Sequence, residues 1–174
     1  PSQNDWYGGW AKRMGELQIE AYRQEYGWQN LDIVRPTNIY GPWDNFHGDH
    51  AMVVPSLIRK AFSAEDEMTV WGSGRPARDF LYSEDAARGI LLVAQQNPGK
   101  PINLGSGQPR SIKDLLEIVK NEVNPNLKII WDSTKPDGDA LRCMDTERAS
   151  SLNIEAQHTL EEGVAKTIEW YKKQ

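Results

Sequence analysis

Short apolar runs alternate with longer segments of helical periodicity along most of the chain. The apolar runs have the length and composition of buried strands, and they lie at residues 31–34, 68–72, 80–82, 102–104 and 128–131. Around them, apolar residues recur at helical spacing at about residues 8–26, 53–62, 83–94, 112–123 and from 159 onward. Alternation of this kind is typical of parallel strands joined by helices. The sequence therefore predicts the α/β fold class.

The pattern lacks the glycine-rich turn that joins the first strand to a helix in dinucleotide-binding folds. The segment Gly105-Ser106-Gly107 has Arg110 where the third glycine belongs, and it comes late in the chain. One or two predicted strands suit a dinucleotide-binding sheet, which needs about six. The chain also opens on Pro1, without an initiator Met. We therefore expect a fragment that binds a dinucleotide poorly by itself.

Composition and charge exclude several classes of protein. The 174 residues carry a net charge of -5, so bulk electrostatics give no support to a nucleic-acid partner. No apolar run approaches the roughly 18 residues of a membrane span, and there is no signal-peptide pattern. Cys143 is the single cysteine, which excludes an internal disulfide and favours a reducing, cytoplasmic location. His47 and His50 are weak as a metal-ligating pair, so we predict no metal site.

The first predicted helix has an apolar face made of Trp10, Met14, Leu17 and Ala21. This face suits packing against a sheet, and it suits contact with a second copy of the chain equally well. On the same helix, Lys12 and Glu16 are one turn apart and are expected to pair. The loop at residues 37–42 follows the first predicted strand, at the sheet edge where ligands bind in α/β proteins.

Several short motifs occur in a fixed order. They are Lys12, then Arg35-Pro36-Thr37-Asn38-Ile39-Tyr40-Gly41-Pro42, Arg78-Asp79-Phe80 and Asn103-Leu104-Gly105-Ser106-Gly107. This order resembles the extended short-chain dehydrogenases/reductases that act on nucleotide sugars. Within that family the spacing is most similar to the GDP-L-fucose synthase branch, on the further segments Asp44-Asn45-Phe46, 54–60, Val70-Trp71-Gly72-Ser73-Gly74 and Lys135-Pro136-Asp137-Gly138.

The resemblance implies the C-terminal half of an NAD(P)-binding Rossmann-fold enzyme with its smaller α/β substrate-binding lobe. Residues 1–42 would be a remnant of the dinucleotide-binding domain. Residues 43–174 would be mainly the lobe, with 80–108 partly returning to the dinucleotide-binding domain. The implied activity is NAD- or NADP-dependent epimerisation, dehydration or reduction of a nucleoside-diphosphate sugar. The resemblance also implies a homodimer, in which a second copy binds through the first helix. It implies no nucleic-acid partner and no membrane.

By the same resemblance, Lys12 would hold the nicotinamide ribose and lower the pKa of a catalytic tyrosine, which then acts as a base near neutral pH. In the family this tyrosine precedes the lysine by four residues, where this chain has Gly8, and Tyr7 comes one position earlier. If the helix begins at Gly9 or later, Tyr7 lies in the preceding loop and reaches the site. Otherwise the catalytic tyrosine is lost, because five helical residues advance roughly 500°. The cofactor would also contact Pro36 and Asn38.

The residues that match the family's nucleotide-sugar contacts are Asn38, Lys60, Trp71, Arg78 and Arg142. Arginine offers a fork of donors to phosphate, lysine adds a point charge, and tryptophan offers a stacking face. The plainer alternatives are a solvated Lys60, a core Trp71, an Arg78 paired with Asp79 or another neighbour, and an Asn38 that stabilises a turn.

The catalytic positions leave a second function open. Met52 stands where the fucose synthases have a histidine that acts as an acid in epimerisation, and Gly8 stands where they have the tyrosine. The alternative function is therefore a non-catalytic module that binds nucleotide sugars or a protein partner.

Overall fold

Helices and strands alternate in the computed structural model, which describes residues 6–48 and 50–174, and the predicted α/β fold class is confirmed. The helices are α1 (Trp6–Tyr26), α2 (Val53–Ser63), α3 (Ser83–Gln96), α4 (Ile112–Val123), α5 (Glu147–Ser150) and α6 (Leu160–Tyr171). The strands are β1 (Val34–Pro36), β2 (Asn38–Tyr40), β3 (Glu67–Trp71), β4 (Ala77–Arg78), β5 (Phe80–Tyr82), β6 (Ile102–Leu104), β7 (Arg110–Ser111), β8 (Lys128–Asp132) and β9 (Leu141–Arg142).

Most strand pairs join parts of the chain that are far apart in sequence. The parallel pairs are β1 with β6, β2 with β5, and β3 with β8, while β4 lies between antiparallel β7 and parallel β9. The loop predicted at residues 37–42 is wrong at its centre, because Asn38–Tyr40 is β2, in register with Phe80–Tyr82. The partner strand supplies the backbone hydrogen bonds that make this segment a strand, and local sequence does not reveal them.

Two clusters of buried side chains hold these elements together. The larger cluster packs α2, α4 and α6 against strands and includes Tyr40, Phe46, Val54, Leu57, Ile58, Met68, Val70, Phe80, Tyr82, Leu115, Leu116, Val119, Leu127, Val164 and Ile168. The smaller cluster lies around α3 and β6 and contains Leu81, Ala86, Val93, Ile102, Leu104, Ala149 and Ile154. Burial of each large aliphatic side chain contributes roughly 1.5–3 kcal/mol, so these clusters carry the stability of the fold.

Two helices begin with a reciprocal capping box. The Ser111 hydroxyl accepts a hydrogen bond of 3.0 Å from the amide of Asp114, whose carboxylate accepts one from the Ser111 amide in return. Thr159 forms the same reciprocal capping box with the third residue of α6. Helix α3 begins without a side-chain cap. Ser83 is the first residue inside α3, where its hydroxyl packs so close to Gly41 that a Cβ there would stand 2.2 Å away.

Helix α1 buries none of its residues in the described part of the chain. The exposed fraction is 44% for Trp10, 56% for Met14 and 39% for Leu17, and Ala21 is exposed as well. No helix of the described residues is long and apolar enough to cross a membrane.

Polar contacts connect α1 to the strands. Glu16 accepts hydrogen bonds of 2.6 and 2.8 Å from the Nε and Nη2 of Arg35, the middle residue of β1. It accepts another, of 2.8 Å, from Arg13. The predicted pair between Lys12 and Glu16 is therefore wrong, because the two arginines engage both carboxylate oxygens. The hydrogen bond from Arg35 is the main reason why the pKa of Glu16 falls to about 2. Arg23 adds a hydrogen bond of 3.1 Å to the carbonyl of Gly99.

Candidate functional site

A cleft of about 240 Å³ brings together three of the predicted substrate-binding residues, Lys60, Trp71 and Arg78. One wall is α2, and the other is the loop between β8 and β9. The remaining lining residues are Val53, Ser56, Leu57, Val70, Gly74, Pro76, Ile112, Pro136, Asp137 and Gly138. These positions are up to 85 residues apart in sequence, so the fold assembles the cleft rather than any local motif.

Trp71 presents its ring to solvent at this cleft. Its exposed fraction is 66%, so the alternative of a core residue is wrong. The Nζ of Lys60 lies 5.7 Å from the centre of the ring, and the Nζ of Lys135 lies 5.3 Å from it. Both distances are within the range in which a cation is attracted to an aromatic face. The cleft therefore combines a flat stacking surface with two ammonium groups.

Arg78 is held by carbonyl oxygens. Its Nη1 donates to the backbone oxygens of Ala77 and Asp139, each at 2.7 Å. The predicted alternative of an ion pair with Asp79 is wrong, because the Asp79 carboxylate is fully buried and accepts hydrogen bonds from the backbone amide and hydroxyl of Ser106. A guanidinium fixed by uncharged carbonyl groups keeps its positive charge for an anionic ligand.

Arg142, the fourth candidate, is the register partner of Arg78 in the parallel pair of β4 and β9. Its Nε donates to the carboxylate of Asp139 at 2.5 Å, and its side chain is about half exposed, at 53%. This ion pair reduces the charge that Arg142 offers to a ligand. Its contact with substrate stays a prediction.

The loop between β8 and β9 was not assigned a role from its sequence. Asp137 accepts hydrogen bonds from the amide of Ser73 at 2.7 Å and from the hydroxyl of Ser73 at 2.6 Å. The hydroxyl bond is the main cause of a lowered pKa at Asp137. The motif Lys135-Pro136-Asp137-Gly138 was the available signal, but spacing alone does not show that it faces Trp71 and Arg78.

A second, more open groove of about 780 Å³ runs between α1 and β1. It is lined by Lys12 and Pro36, two of the three predicted cofactor contacts, together with Gly9, Arg13, Gly15, Glu16, Ile19, Asp32, Ile33, Val34 and Arg35. The third, Asn38, lies in β2 and donates from its side-chain amide to the carbonyl of Asp79, 41 residues away, at 2.8 Å, so the alternative of a turn-stabilising residue is wrong. A contact between Asn38 and a ligand stays a prediction.

Tyr7 lies within α1, which already includes Trp6, so the helix does not begin at Gly9 or later. Its side chain is 88% exposed. In the helix it points away from Lys12, since five residues advance roughly 500°. The arrangement that would have put Tyr7 in a loop is therefore absent, and its role as acid or base stays a prediction.

His47 and His50, which lie between β2 and α2, are exposed. Met52 precedes α2 and is 56% exposed. The third histidine, His158, is engaged elsewhere: its Nδ1 lies 3.1 Å from the buried carboxylate of Asp85. In the described part of the chain, no group of three or more His, Cys, Asp and Glu is arranged to hold a metal ion.

Comparison with known proteins gives consistent matches. The profile of the NAD dependent epimerase/dehydratase family matches residues 4–105. The chain is 39% identical over 173 residues to a putative GDP-L-fucose synthase 2 of Arabidopsis thaliana. The aligned region covers 97% of this chain and 52% of that protein. The chain thus spans about half the length of the curated relatives it matches.

Solved structures share the fold. A GDP-L-fucose synthetase from Naegleria fowleri bound to NADP superimposes with a TM-score of 0.87 and 29% identity, over 99% of this chain and 55% of that one. A UDP-glucose 4-epimerase of Thermotoga maritima with UDP-glucose gives a TM-score of 0.80 and 27% identity, over 95% of this chain and 53% of that one. Together with the profile match over more than half of the chain, these likenesses confirm the predicted resemblance: the chain belongs to the NAD dependent epimerase/dehydratase family.

Proposed function

We propose that the protein is an NAD- or NADP-dependent enzyme that epimerises, dehydrates or reduces a nucleoside-diphosphate sugar, similar to the GDP-L-fucose synthases. The observation that carries this proposal is the cleft in which Lys60, Trp71 and Arg78 meet. Similarity to GDP-L-fucose synthases over nearly the whole chain supports it.

The chemistry of the cleft suits a nucleoside diphosphate. The exposed ring of Trp71 offers a face on which a base stacks, and such stacking is worth about 1–3 kcal/mol. Lys60 and Arg78 add positive charge, and Arg78, whose Nη1 binds two carbonyl oxygens, offers its Nε and Nη2 edge to phosphate oxygens. The Thermotoga relative was solved with UDP-glucose, a ligand of this class. In this proposal the nucleotide lies in the cleft, and the sugar extends toward the groove beside Lys12.

The groove fits the nicotinamide end of a dinucleotide. Its lining carries three cations, Lys12, Arg13 and Arg35, against the two acids Glu16 and Asp32. Lys12 would hold the ribose, and Pro36 would line the pocket at the end of β1. When bound, NAD or NADP supplies the nicotinamide that accepts or returns a hydride. The Naegleria relative, solved with NADP, supports this choice of cofactor.

In the reaction, Lys12 contributes a fixed positive charge. A cation beside a phenol or a sugar hydroxyl favours its deprotonated form, which promotes proton transfer near neutral pH. The acid–base group itself remains a proposal. Tyr7 is the tyrosine nearest to Lys12 in sequence, and its place in α1 argues against a direct partnership.

We also propose the division of labour given by the resemblance. Residues 1–42 contribute to the dinucleotide-binding domain, and 43–174 mainly form the substrate lobe, with 80–108 partly returning. The parallel pairing of β1 with β6 and of β2 with β5 supports this return, since it joins residues 34–40 to residues 80–104. A crystal structure with NADP bound would test it, and cofactor density away from residues 1–42 would contradict it.

A homodimer through α1 is part of the proposal. The exposed apolar residues Trp10, Met14 and Leu17 support it. Light scattering should give the mass of a dimer for the protein and that of a monomer for Met14→Glu. An unchanged dimer in that variant would refute this interface. A cytoplasmic location stays a prediction of the sequence.

The second candidate function is a non-catalytic module that binds a nucleotide sugar. It is favoured by Gly8 at the tyrosine position and by the exposure of Tyr7 within a helix. The two functions differ in how they respond to a change at Lys12. Lys12→Met should abolish turnover in an enzyme and leave sugar-nucleotide affinity unchanged in a pure binder.

The experiment uses the full-length protein, since we expect this chain to bind a dinucleotide poorly by itself. It is incubated with GDP- and UDP-sugars and NADP or NADPH, while nicotinamide absorbance and sugar conversion are followed. Parallel calorimetry measures binding of GDP and UDP. Turnover that is lost in Lys12→Met and kept in the control Lys113→Met, an exposed lysine on α4, supports the enzyme. Tight binding without turnover would refute the enzyme and leave the binding module.

A further inference from the structure

The loop between β8 and β9, residues 133–140, places one more cation at the cleft. We propose that Lys135 is a further contact for the diphosphate of the bound nucleotide and that a clasp between Asp137 and Ser73 positions it. This inference rests on the proposed function, because it concerns the same nucleotide-binding cleft. Lys135 would be a specificity-determining residue, and Asp137 a positioning residue that acts through it.

The first part of the loop is a fixed turn. The carboxylate of Asp132, the last residue of β8, accepts hydrogen bonds from the amide of Thr134 at 3.1 Å and from its hydroxyl at 2.5 Å. The amide of Lys135 donates to the carbonyl of Asp132 at 3.3 Å. A side-chain oxygen that bonds the backbone two residues on is a common way of fixing a turn. The turn therefore fixes the backbone position from which the side chain of Lys135 extends.

The clasp fixes the middle of the loop. The two oxygens of Asp137 bind the amide and the hydroxyl of Ser73, the second residue after β3. The approach is so close that a Cβ on Gly72, where φ is +81°, would stand 2.5 Å from the carboxylate. Glycine at this position is therefore required twice, by its backbone angle and by the contact. The clasp also engages both oxygens of the acid, which reduces its repulsion of a phosphate.

The last part of the loop lies on Arg78. A Cβ on Gly138 would stand 2.9 Å from the Nη2 of Arg78, and the next carbonyl, that of Asp139, accepts from its Nη1. The loop is thus fixed at three points: by the turn at Asp132, by the clasp at Asp137, and by the contact of 138–139 with Arg78. Between the first two points stands Lys135, with its ammonium 5.3 Å from the ring centre of Trp71.

Three cations then surround the surface on which the base stacks. Lys60 and Lys135 both lie within 6 Å of the centre of the Trp71 ring, and Arg78 lines the same cleft. A base stacked on Trp71 carries its own diphosphate one ribose away, on the same side of the molecule as these cations. The side chain of Lys135 is long enough to leave the ring for a phosphate oxygen, which is a stronger partner for an ammonium than an aromatic face. The clasp keeps the ammonium within reach before the ligand arrives.

Calorimetry with GDP as the probe tests the role of Lys135. The variant Lys135→Gln should raise the Kd for GDP about tenfold, the lower end for a charge-assisted hydrogen bond at an exposed site. It should leave binding of guanosine, which has no phosphate, unchanged. The matched control is Lys128→Gln on the neighbouring β8, which removes a lysine charge that pairs with Glu67 and not with the ring of Trp71, and it should bind GDP as the wild type does.

A pair of variants at Asp137 separates position from charge. Asp137→Asn removes the negative charge but can keep both contacts with Ser73. Its side-chain oxygen can accept from the Ser73 backbone N–H, and its side-chain NH2 can donate to the Ser73 hydroxyl. Asp137→Ala removes the charge and the clasp together. If charge alone mattered, both variants would bind GDP more tightly than the wild type. Positioning predicts that Asp137→Ala binds severalfold more weakly, that Asp137→Asn does not, and that Asp137→Ala adds nothing to Lys135→Gln.

Hydrogen exchange at the Ser73 amide gives a readout without ligand. This amide should be protected in the wild type and in Asp137→Asn, and should exchange faster in Asp137→Ala. Equal GDP affinity of the wild type and Lys135→Gln, or unchanged affinity in Asp137→Ala, would overturn this inference while leaving the proposed function intact. Failure of the wild type to bind GDP, UDP and their sugars would remove both the proposed function and this inference.

Discussion

The ion pair between Glu16 and Arg35 should make the attachment of α1 dependent on pH. We consider the variant Glu16→Gln, which keeps the size of the side chain and removes its charge. The wild-type carboxylate accepts hydrogen bonds of 2.6 and 2.8 Å from Arg35 and one of 2.8 Å from Arg13. Since α1 has no buried residue in the described part of the chain, such polar contacts carry much of its attachment.

The magnitude follows from the pKa of Glu16, which falls from 4.5 to about 2, mainly through the hydrogen bond from Arg35. Taken at face value, this difference corresponds to about 3 kcal/mol of stability at neutral pH. The Glu16 side chain is 14% exposed, but that of Arg35 is 45% exposed, so solvent screens the pair. We therefore expect a loss of about 1–2 kcal/mol for Glu16→Gln at pH 7.

The sign of the pH dependence is fixed by the lowered pKa. A carboxylate of this kind stabilises the fold fully above its unfolded pKa, and the stabilisation disappears as the pH falls through the folded value. The difference in unfolding free energy between wild type and Glu16→Gln should be constant above about pH 5 and shrink toward pH 2. Other carboxylates titrate in both proteins and cancel in the difference.

The assay is urea unfolding followed by circular dichroism, which includes the melting of α1. Glu20→Gln is the matched control on the same helix, because its contact with Arg13 is 3.5 Å long and 45% of its side chain is exposed. It should lose less than about 0.5 kcal/mol. A Glu16→Gln difference that stays constant between pH 6 and about pH 3, or a control that loses as much, would refute the reasoning.

Three further substitutions probe the packing around the sites. Gly163→Ala would place a Cβ 2.1 Å from the hydroxyl of Tyr40, so the protein should lose about 1–3 kcal/mol in spite of the better helix propensity of alanine, and a raised melting temperature would contradict this. Leu115→Ala empties a fully buried position and should cost about 2–5 kcal/mol by urea unfolding, where a loss below about 1 kcal/mol would show that the site collapses. Ser111→Ala removes the cap that binds the Asp114 amide and should cost about 1 kcal/mol, whereas no change would mean that water replaces the cap.

The sequence predicts best those elements whose own residue pattern is enough to identify them. The helices at 53–63 and 112–123 have an apolar face of their own, and the second has a capping residue at Ser111. The strands β4, β7 and β9 are each two residues long and went unpredicted. Such strands exist only because a partner lies beside them, and no local pattern of two residues can signal a partner.

The candidate site divides in the same way. A resemblance in motif order identified Lys60, Trp71 and Arg78, and the fold brings them to one cleft. Sequence could not decide between an exposed and a buried Trp71, because alternation along β3 allows either face to be the solvent face. It also left Lys135 and Asp137 without a role, because their contacts are with residues about 60 positions away, Trp71 and Ser73.

Asp79 explains how the fold keeps a positive charge in the cleft. Its carboxylate, fully buried, accepts from the amide and hydroxyl of Ser106 at 2.9 and 2.6 Å and from two further backbone amides, those of Gly107 and Met144. A buried carboxylate with this many donors does not need a cation as its partner. The neighbouring Arg78 is therefore not neutralised by Asp79, although the two are adjacent in the chain.

The backbone of Asp79 makes the second connection. Its carbonyl accepts hydrogen bonds from the hydroxyl of Thr37 at 3.0 Å and from the side-chain amide of Asn38 at 2.8 Å. These two residues directly follow Pro36, which lines the groove beside Lys12. The strand that carries Arg78 into the cleft is thus fixed to the strand that ends at the groove. The cleft and the groove are therefore joined through one buried residue and not through exposed ion pairs. The distance between them should not change with a salt concentration that weakens surface contacts.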